Sequence, residues 1–384
     1  MLIQLTEEQQ SVQQAAREFA QKDLLPGVID RDNKMTYPKD EVRKMGELGF
    51  LGMMVSPEYG GGGMDTLSYV LAMEEISKVD NSCSVIVSVN NSLVCWGLET
   101  FGNEFQKDKY LRKLATGEWI GAFCLSEPEA GSDATSQRTT AVDMGDHYLL
   151  NGTKNWITNG GTSKVHLVIA QTNPELGSKG INALIVETDW EGVVIGAKED
   201  KLGIRSSDTH TIMYTDVKVP KANRIGEDGF GFKFAMKTLA GGRIGIASQA
   251  LGIAAGAYEL SVAYSKVRSA FGKPISQHQA IAFKLADMAT KIEAARLLVY
   301  KSALMKDEGL DYGMASSMAK VFASETAMAV AVEAVQVHGG YGFVKEYHVE
   351  RLMRDAKITQ IYEGTSEVQR IVISREVLNG KLYC

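Results

Sequence analysis

The order of the hydrophobic periodicities limits the fold of this 384-residue chain more than any other feature. Apolar residues recur every three to four positions before about residue 117 and again after residue 229, as in amphipathic helices. Between these parts, short segments alternate polar and apolar residues, as in β-strands. One hydrophobic core rarely supports a chain of this length. The sequence therefore predicts an N-terminal helical domain at residues 1–117, a middle β domain at 118–229 and a C-terminal helical bundle at 230–384.

Short strands without intervening helices characterise the middle domain. Asn151-Gly152 and Asn159-Gly160 are pairs that favour turns, and strand-like segments surround them. Closely spaced strands of this kind favour an antiparallel barrel or sandwich. A doubly wound sheet is excluded because it would alternate strands and helices throughout. The expected segments are 147–150, 153–158, 165–172, 181–188, 192–196 and 210–220.

The helical parts are interpreted as packed cores. Apolar stripes run from Ile281 to Leu298 and from Met318 to Val335, and stripes of this spacing are typical of a helix bundle. In the N-terminal part, the segment from Thr66 to Val79 predicts a structural helix. On that helix an apolar face and an acidic face with Glu74 and Glu75 would separate. The expected class is a multidomain α+β protein.

Composition excludes several functions. Lys and Arg number 41 against 47 Asp and Glu, so the chain has no basic surplus for binding nucleic acid. Neither the histidines nor the cysteines Cys83, Cys95, Cys124 and Cys384 have the spacing of metal ligands or of a disulfide framework, so we expect no metal. The opening MLIQLTEEQQ does not resemble a signal peptide, and no stretch is apolar enough to span a membrane. A cytoplasmic protein is expected.

Familiar nucleotide-binding and hydrolase motifs are missing as well. The chain has no G-x-G-x-x-G after a strand, no G-x-x-x-x-G-K-[ST] and no G-x-S-x-G. A redox cofactor would therefore need a different binding site.

Two segments of the middle domain could contact such a cofactor. The loop from Cys124 to Asp133, CLSEPEAGSD, combines small residues that allow backbone N–H groups and Ser132 to approach a flavin or a phosphate. Trp156 and Thr158 are two positions apart on a strand and are expected on one face. Taken singly, a polar turn and a core tryptophan are the more common explanations of these segments.

Two further segments lie in the C-terminal domain. The glycines from Gln336 to Gly342, QVHGGYG, could end a helix or allow the backbone to approach a pyrophosphate closely. Glu363 follows the apolar Ile361 and Tyr362 and precedes Gly364. Desolvation would raise the pKa of this carboxyl group toward neutrality, as a general base requires. An ordinary acidic residue at a helix start is the alternative.

In this order, the segments resemble the acyl-CoA dehydrogenase family over residues 5–378. The resemblance implies a middle β-barrel, a C-terminal four-helix bundle, and FAD held between them, usually in a homotetramer. Both family signatures are present, the first at Leu125-Ser-Glu-Pro and Gly131-Ser-Asp133, the second at Gln336-x-x-Gly-Gly-x-Gly342 with Arg351 and Asp355.

The resemblance also implies which residues bind FAD. In the middle domain these are Phe123, Leu125, Ser126, Gly131, Ser132, Trp156, Ile157 and Thr158. The residues expected to reach the FAD of the adjacent subunit are Arg268, Phe271, Gln279, Gln336, Gly339 and Gly340. Thr365 and Glu367 would complete the dinucleotide end.

Glu363 matches the catalytic base of the family, which removes the α proton of an acyl thioester while the β hydrogen leaves as hydride. The resemblance implies that the Glu363 N–H and a flavin ribityl hydroxyl polarise the thioester carbonyl. Electrons would pass to an electron-transferring flavoprotein. The expected substrate contacts are Ser132, Arg243, Tyr362 and Gly364.

The segment around Arg243 looks most like that of short-chain, butyryl-type members, although Ala240 stands where many of these have Asp. Some branched- and long-chain relatives carry their base at the position of Gly242, so a glycine there favours Glu363. The stretch from Ser84 to Ser88 has no cation for the distal carboxylate of a glutaryl substrate. A medium- or branched-chain dehydrogenase, an acyl-CoA oxidase and a degenerate, non-enzymatic helical scaffold stay open as alternatives.

Overall fold

A computed structural model describes residues 4–381 and divides them into the three expected parts. The N-terminal helices are α1 (Glu7–Phe19), α2 (Val28–Lys34), α3 (Lys39–Glu47), α4 (Thr66–Ser77), α5 (Asn81–Ser88), α6 (Trp96–Phe101), α7 (Glu104–Gln106) and α8 (Arg112–Ala115). The strands of the middle part are β1 (Gly121–Cys124), β2 (Thr140–Asp143), β3 (His147–Thr158), β4 (Val165–Gln171), β5 (Ile181–Glu187), β6 (Val193–Lys198), β7 (Thr209–Pro220) and β8 (Arg224–Ile225). The C-terminal part contains α9 (Gly231–Val267), the short strands β9 (Ser269–Ala270) and β10 (Lys273–Pro274), then α10 (Gln279–Asp307), α11 (Gly313–His338), α12 (His348–Thr359) and α13 (Ser366–Leu378).

Strands β1 to β8 form one sheet in the order β6-β7-β3-β2-β4-β5-β8, with β1 also paired to β4. Most neighbours are antiparallel, as expected. The pairing of β1 with β4 is parallel, and a single pair, Thr140 with Gln171, joins β2 to β4 in the same sense. A parallel pair needs a long connection, and residues 125–164 supply one between β1 and β4. The sheet is therefore mixed at the strand that leads into the candidate flavin loop.

The expected turn at Asn151-Gly152 is absent, because β3 continues through this pair as a single strand. The register with β7 shifts between Leu150 and Gly152, which marks a β-bulge. Gly152 has a φ of +147°, and a Cβ there would lie 2.5 Å from Thr139 Oγ1. Close packing and positive φ select glycine here, the same two properties that make Asn-Gly a turn signal.

Helix α4 also differs from its prediction, since its apolar and acidic faces are both buried. Glu74 accepts a hydrogen bond from Arg296 at 2.7 Å, and Glu75 accepts one from Arg17 at 2.9 Å. Helix α9 packs so closely that a Cβ on Gly252 would lie 2.5 Å from the Glu74 carbonyl oxygen. The N-terminal domain and the bundle therefore share one core along α4 and α9.

Cys83, Cys95 and Cys124 are buried and free, and Cys384 lies outside the described residues. Within residues 4–381, no helix has both the length and the apolar character needed to cross a lipid bilayer. The same residues contain no group of three or more His, Cys, Asp or Glu side chains arranged to hold a metal ion.

Candidate active site

Glu363 lies in the turn between α12 and α13, three residues before α13 begins. Its backbone is left-handed, with a φ of +53°, and Gly364 follows with a φ of +93°. Two consecutive residues of this kind are rare, and a non-glycine residue there is strained. Thr365 then caps α13 by accepting a hydrogen bond from the Val368 N–H at 3.2 Å. Glu363 is thus held in a special turn, and it is not part of the helix start.

The Glu363 carboxylate lacks the partners that buried acids normally have. Its Oε2 atom is buried and accepts no hydrogen bond from the described residues. Burial raises the pKa of Glu363 to about 7, although the charges of Lys320 and Arg243 act to lower it. A carboxyl group that titrates near neutrality is suited to accept a proton in a reaction.

The space that Glu363 occupies depends on Gly242 of α9. A Cβ at this position would lie 2.1 Å from Glu363 Oε2 and 2.7 Å from Leu93 Cδ2. The two positions that the sequence suggested as alternative sites for the base therefore face each other across one space. Because α9 carries glycine there, the carboxylate of Glu363 can fill that space.

Two buried cations lie beside the carboxylate. Arg243 donates to Ser317 Oγ at 3.3 Å, and its buried Nε atom has no partner among the described residues. Burial lowers the pKa of Arg243, whereas the charge of Glu363 raises it. Lys320, which sequence reasoning missed, is fully buried on α11 and donates to the Gly364 carbonyl oxygen at 2.7 Å. Lys320 shares the buried face of α11 with Ala319 and Ala323. The expected apolar stripe of this helix lies elsewhere, since its members Phe322 and Val332 are exposed.

Tyr362 and Tyr69 enclose the site on the side of the N-terminal domain. The hydroxyl of Tyr362 donates to Gln249 Oε1, and burial keeps the pKa of Tyr362 well above its usual range. Tyr69 donates to Ser88 Oγ at 3.3 Å, and burial raises the pKa of its hydroxyl. Gly245 lies one turn along α9 from Gly242. A Cβ on Gly245 would lie 2.5 Å from the Tyr69 hydroxyl oxygen and 2.5 Å from Ser88 Oγ.

The loop after β1 is fixed by a buried ion pair that the sequence did not reveal. Lys154, fully buried on β3, donates to Glu127 Oε1 at 2.8 Å and to the Leu125 carbonyl oxygen at 3.0 Å. Glu127 also accepts from the N–H groups of Arg138 and Thr139 at 2.6 and 3.1 Å. Burial acts to raise the pKa of Glu127, but Lys154 and these donors hold it below its usual range. Both ends of residues 125–139 are therefore anchored to one ion pair.

Trp156 projects from β3 beside this loop and is 57% exposed. Its φ is +56°, and the register with β7 shifts between Lys154 and Ile157. Ile157 points into the core, whereas Trp156 and Thr158 on either side are not buried. The bulge therefore turns both Trp156 and Thr158 outward, whereas strict alternation from the buried Lys154 would have turned both of them inward.

Arg268, Gly339 and Gly340 line a cavity of about 610 Å³ at the end of α11, together with Tyr264 and Tyr341. The Arg268 guanidinium carbon lies 5.5 Å from the centroid of the Tyr341 ring. Gly339 ends α11 with a φ of +59°, whereas a Cβ on Gly340 would meet no atom within 4 Å. The fold itself therefore gives no steric reason for a glycine at Gly340.

The other residues predicted to bind FAD lie either beside the loop after β1 or at the protein surface. Phe123 and Leu125 pack partly against the core below the loop, and the Ser126 carbonyl oxygen accepts from the Asn155 N–H at 2.9 Å. Gly131 resembles Gly340, because a Cβ there would meet nothing within 4 Å. The exposed members of the predicted set are Gly131, Ser132, Trp156, Arg268, Phe271, Gln279, Gln336, Gly339, Gly340 and Glu367.

The second signature is completed by Arg351 and Asp355, which connect the three parts of the chain. Arg351 donates to Asp355 at 3.2 Å and to the Val79 carbonyl oxygen at 2.7 Å. Asp355 also accepts from the Ile204 N–H at 2.6 Å and from Asn81 at 3.1 Å. Burial raises the pKa of Asp355 to about 6, although Arg351 acts to lower it. These two residues stabilise the junction behind Glu363.

A carboxyl group whose pKa burial raises to about 7 lies between the N-terminal helices and the bundle, and such a group is suited to accept a proton in a reaction. Comparison with known proteins identifies the class. The chain belongs to the acyl-CoA dehydrogenase family, whose N-terminal, middle and C-terminal domains match residues 6–118, 122–217 and 229–378. It is an FAD-dependent oxidoreductase that acts on CH–CH bonds.

Individual relatives match over nearly the whole chain. A short-chain specific acyl-CoA dehydrogenase of Clostridium acetobutylicum is 50% identical over 98% of this chain and all of its own. The butyryl-CoA dehydrogenase structure from Megasphaera elsdenii has a TM-score of 0.97 and 48% identity over 98% of this chain and all of its own. A chain from a structure of the electron transferring flavoprotein of Acidaminococcus fermentans has a TM-score of 0.97 and 52% identity, again over 98% of this chain and all of its own.

Proposed function

We propose that this protein converts a short-chain acyl-CoA of the butyryl type to its trans-2-enoyl-CoA. The observation that carries the proposal is the Glu363 carboxylate, whose buried Oε2 atom has no hydrogen-bond partner in the described part of the chain and whose pKa burial raises to about 7. At neutral pH such a group is partly ionised and can remove the α proton of a thioester. When bound, FAD supplies the acceptor for the β hydride.

The turn at Glu363 also bears on the acidity of the substrate. An α proton of an unpolarised thioester is too weakly acidic for a carboxylate. A hydrogen bond from the Glu363 N–H to the thioester oxygen would stabilise the negative charge that develops there. Residues enclosing the site, among them Leu93 and Tyr362, exclude water and strengthen this interaction.

Two open glycines support FAD binding by the predicted residues. Gly131 and Gly340 leave room for a Cβ that no atom of residues 4–381 would contact, so a ligand approaching the backbone explains both. Trp156 offers an exposed aromatic face, and Arg268 offers an exposed cation beside Gly340. We expect Arg268→Ala and Gly340→Ala to weaken FAD retention in equilibrium dialysis without lowering the melting temperature of the apoprotein. Unchanged retention in both variants would contradict this placement.

The preference for a short chain rests on Gly245 and on the relatives. Gly245 follows Gly242 by three residues, which corresponds to about 4.5 Å along an α-helix. A Cβ on Gly245 would lie only 2.5 Å from the hydroxyl oxygens of Tyr69 and Ser88. Little room therefore remains along α9 beyond Glu363 for a long acyl chain. Relatives named for short-chain or butyryl-CoA substrates support the same conclusion.

We further propose a homotetramer that passes electrons to an electron-transferring flavoprotein in the cytoplasm. Exposed apolar residues on the bundle, such as Phe283, Phe343 and Leu378, are suited to contacts between subunits. The relative from the electron transferring flavoprotein structure supports the choice of partner. Three buried free cysteines agree with a reducing compartment. Sedimentation of the holoprotein would test the assembly.

The decisive experiment is an anaerobic titration of the yellow holoprotein with butyryl-, octanoyl- and isovaleryl-CoA while the flavin absorbance is followed. Selective bleaching by butyryl-CoA is the expected result. Selective bleaching by one of the other two would replace the short-chain assignment. No bleaching by any of them would contradict the proposed reaction, and rapid reoxidation of bleached protein in air would indicate an oxidase.

A further inference from the structure

The backbone around the carboxylate of Glu363 is held by two side chains from different helices. Lys320 of α11 donates to the Gly364 carbonyl oxygen at 2.7 Å. Gln369 of α13 donates to the same oxygen at 2.8 Å and approaches the Glu363 carbonyl oxygen at 3.3 Å. Both side chains are fully buried. The two left-handed residues are therefore bonded from two sides by donors that cannot exchange readily with solvent.

A buried lysine is unusual, and the hydrogen bond of Lys320 does not by itself account for the desolvation of its charge. The Gly364 oxygen is the hydrogen-bond acceptor of its ammonium group, and none of the ion pairs among the described residues includes Lys320. Burial lowers the pKa of Lys320 to about 8, whereas the charge of Glu363 acts to raise it. A neutral side chain would satisfy one carbonyl oxygen without the desolvation of a cation. The positive charge itself therefore has a use at this position.

We propose that Lys320 and Gln369 are positioning residues that together hold the left-handed turn at Glu363 and Gly364, and so fix the directions of the Glu363 carboxylate and N–H. Lys320 has a second effect, because its charge favours the ionised carboxylate. This inference rests on the proposed role of Glu363 as the base. It adds that the orientation of the base depends on the backbone of its own turn, which Lys320 and Gln369 hold at the Gly364 carbonyl oxygen.

From the charged and titratable groups around Glu363, we expect different effects on catalysis when Lys320 and Gln369 are replaced. Lys320 on α11 and Arg243 on α9 act to lower the pKa of Glu363. Tyr69 on α4 and the adjacent Tyr362 are neutral at pH 7, because burial raises the pKa of each hydroxyl. Loss of the Lys320 charge should therefore move the acid limb of the kcat profile to higher pH. Loss of Gln369 should lower kcat without moving that limb, since Gln369 carries no charge.

The test compares FAD-loaded wild type with Lys320→Met, Lys320→Gln and Gln369→Leu, using butyryl-CoA and a dye acceptor between about pH 6 and 9. Lys320→Met should lower kcat at pH 7 by about tenfold or more and shift the acid limb upward. Lys320→Gln, which keeps an amide donor, should show the same shift but recover most of kcat at high pH. Gln369→Leu should lower kcat at every pH. Lys357→Met removes an exposed lysine from α12 and serves as the control for charge.

Wild-type kcat and an unmoved acid limb in Lys320→Met would overturn the proposal, as would variants that lose only thermal stability. If Lys320→Met fails to fold, the limb in Lys320→Gln and the kcat of Gln369→Leu decide the question in the same way. Wild type is measured first with all three acyl-CoAs. Absence of wild-type turnover contradicts the proposed function, whereas normal wild-type turnover with unaltered variants contradicts only the positioning roles.

Discussion

Glu127, in the loop after β1, and Glu363, in the turn before α13, are carboxylates whose surroundings differ in one respect. Glu127 is buried but bonded to Lys154 and to two backbone N–H groups, which hold its pKa below the usual range. The Oε2 atom of Glu363 is buried without a bonded partner, and burial raises the pKa of this residue to about 7. The comparison shows that burial alone does not assign a role. A satisfied carboxylate supports the framework, and an unsatisfied one is available for proton transfer.

Glu363→Gln should have the largest effect on catalysis. The amide cannot accept a proton, so we expect kcat to fall by about 10² to 10⁴-fold, the range typical of a lost general base. FAD retention and the melting temperature should stay close to wild type. Stopped-flow bleaching with butyryl-CoA measures the loss. Substantial residual bleaching would remove Glu363 from its assigned role.

Glu127→Gln should instead lower stability. Removal of one partner leaves Lys154 buried without compensation, which costs about 3 to 5 kcal/mol of unfolding free energy. The double variant Glu127→Gln, Lys154→Met should be less affected than Glu127→Gln alone, because no unpaired charge remains. Denaturant unfolding of wild type, these two variants and the single variant Lys154→Met gives the coupling energy between the two residues. Equal stability of Glu127→Gln and wild type would show that the ion pair is not needed.

Gly242→Ala tests the space around the Glu363 carboxylate. The new Cβ would lie 2.1 Å from Oε2, so the carboxylate must move. A displacement of about 1 Å can reduce a rate by about 10²-fold, and we expect a loss of that order in kcat. Gly241→Ala is the matched control, because a Cβ there approaches nothing closer than 3.9 Å. Equal kcat in the two variants would mean that Gly242 does not limit the site.

The smallest expected effect is the pH dependence of the wild type. Only the ionised form of Glu363 is a base, and its pKa of about 7 places the transition there. The value of kcat/KM, which reports on the free enzyme, should fall as the pH decreases through about 7 and level off above about 8. Glu127 should contribute no limb in this range, since its pKa lies below the usual value. A flat profile between pH 6 and 8 would contradict the titration of Glu363.

Sequence reasoning found Glu363 through two apolar neighbours, of which only Tyr362 packs at the site. Ile361 suggested an apolar setting, yet it is 48% exposed. The carboxylate is enclosed by residues distant in sequence, including Leu93 and Gly242. The expected direction of the pKa shift agrees with the structure. The catalytic role of Glu363, the FAD contacts and the domain boundaries stay predictions.

Lys154 and Lys320 were missed for a common reason. Charged residues are normally assigned to the surface, and neither lysine carries a local signal that marks its partner. Lys154 meets Glu127 from 27 positions away, and Lys320 meets Gly364 from 44 positions away. The Asn151-Gly152 prediction failed in a similar way, because the contact with Thr139 that selects glycine is not local.

Local patterns along the chain were sufficient to predict the three-part α+β architecture and the family, and both predictions were confirmed. Periodicity reports which face of each element is apolar, and that information is local. The tertiary structure decided the parallel pairing of β1 with β4, the approach of Gly242 to Glu363, and the bonds that Lys154 and Lys320 make. Each of these depends on which distant elements come into contact, and a periodic pattern specifies that an apolar face is buried without specifying its partner.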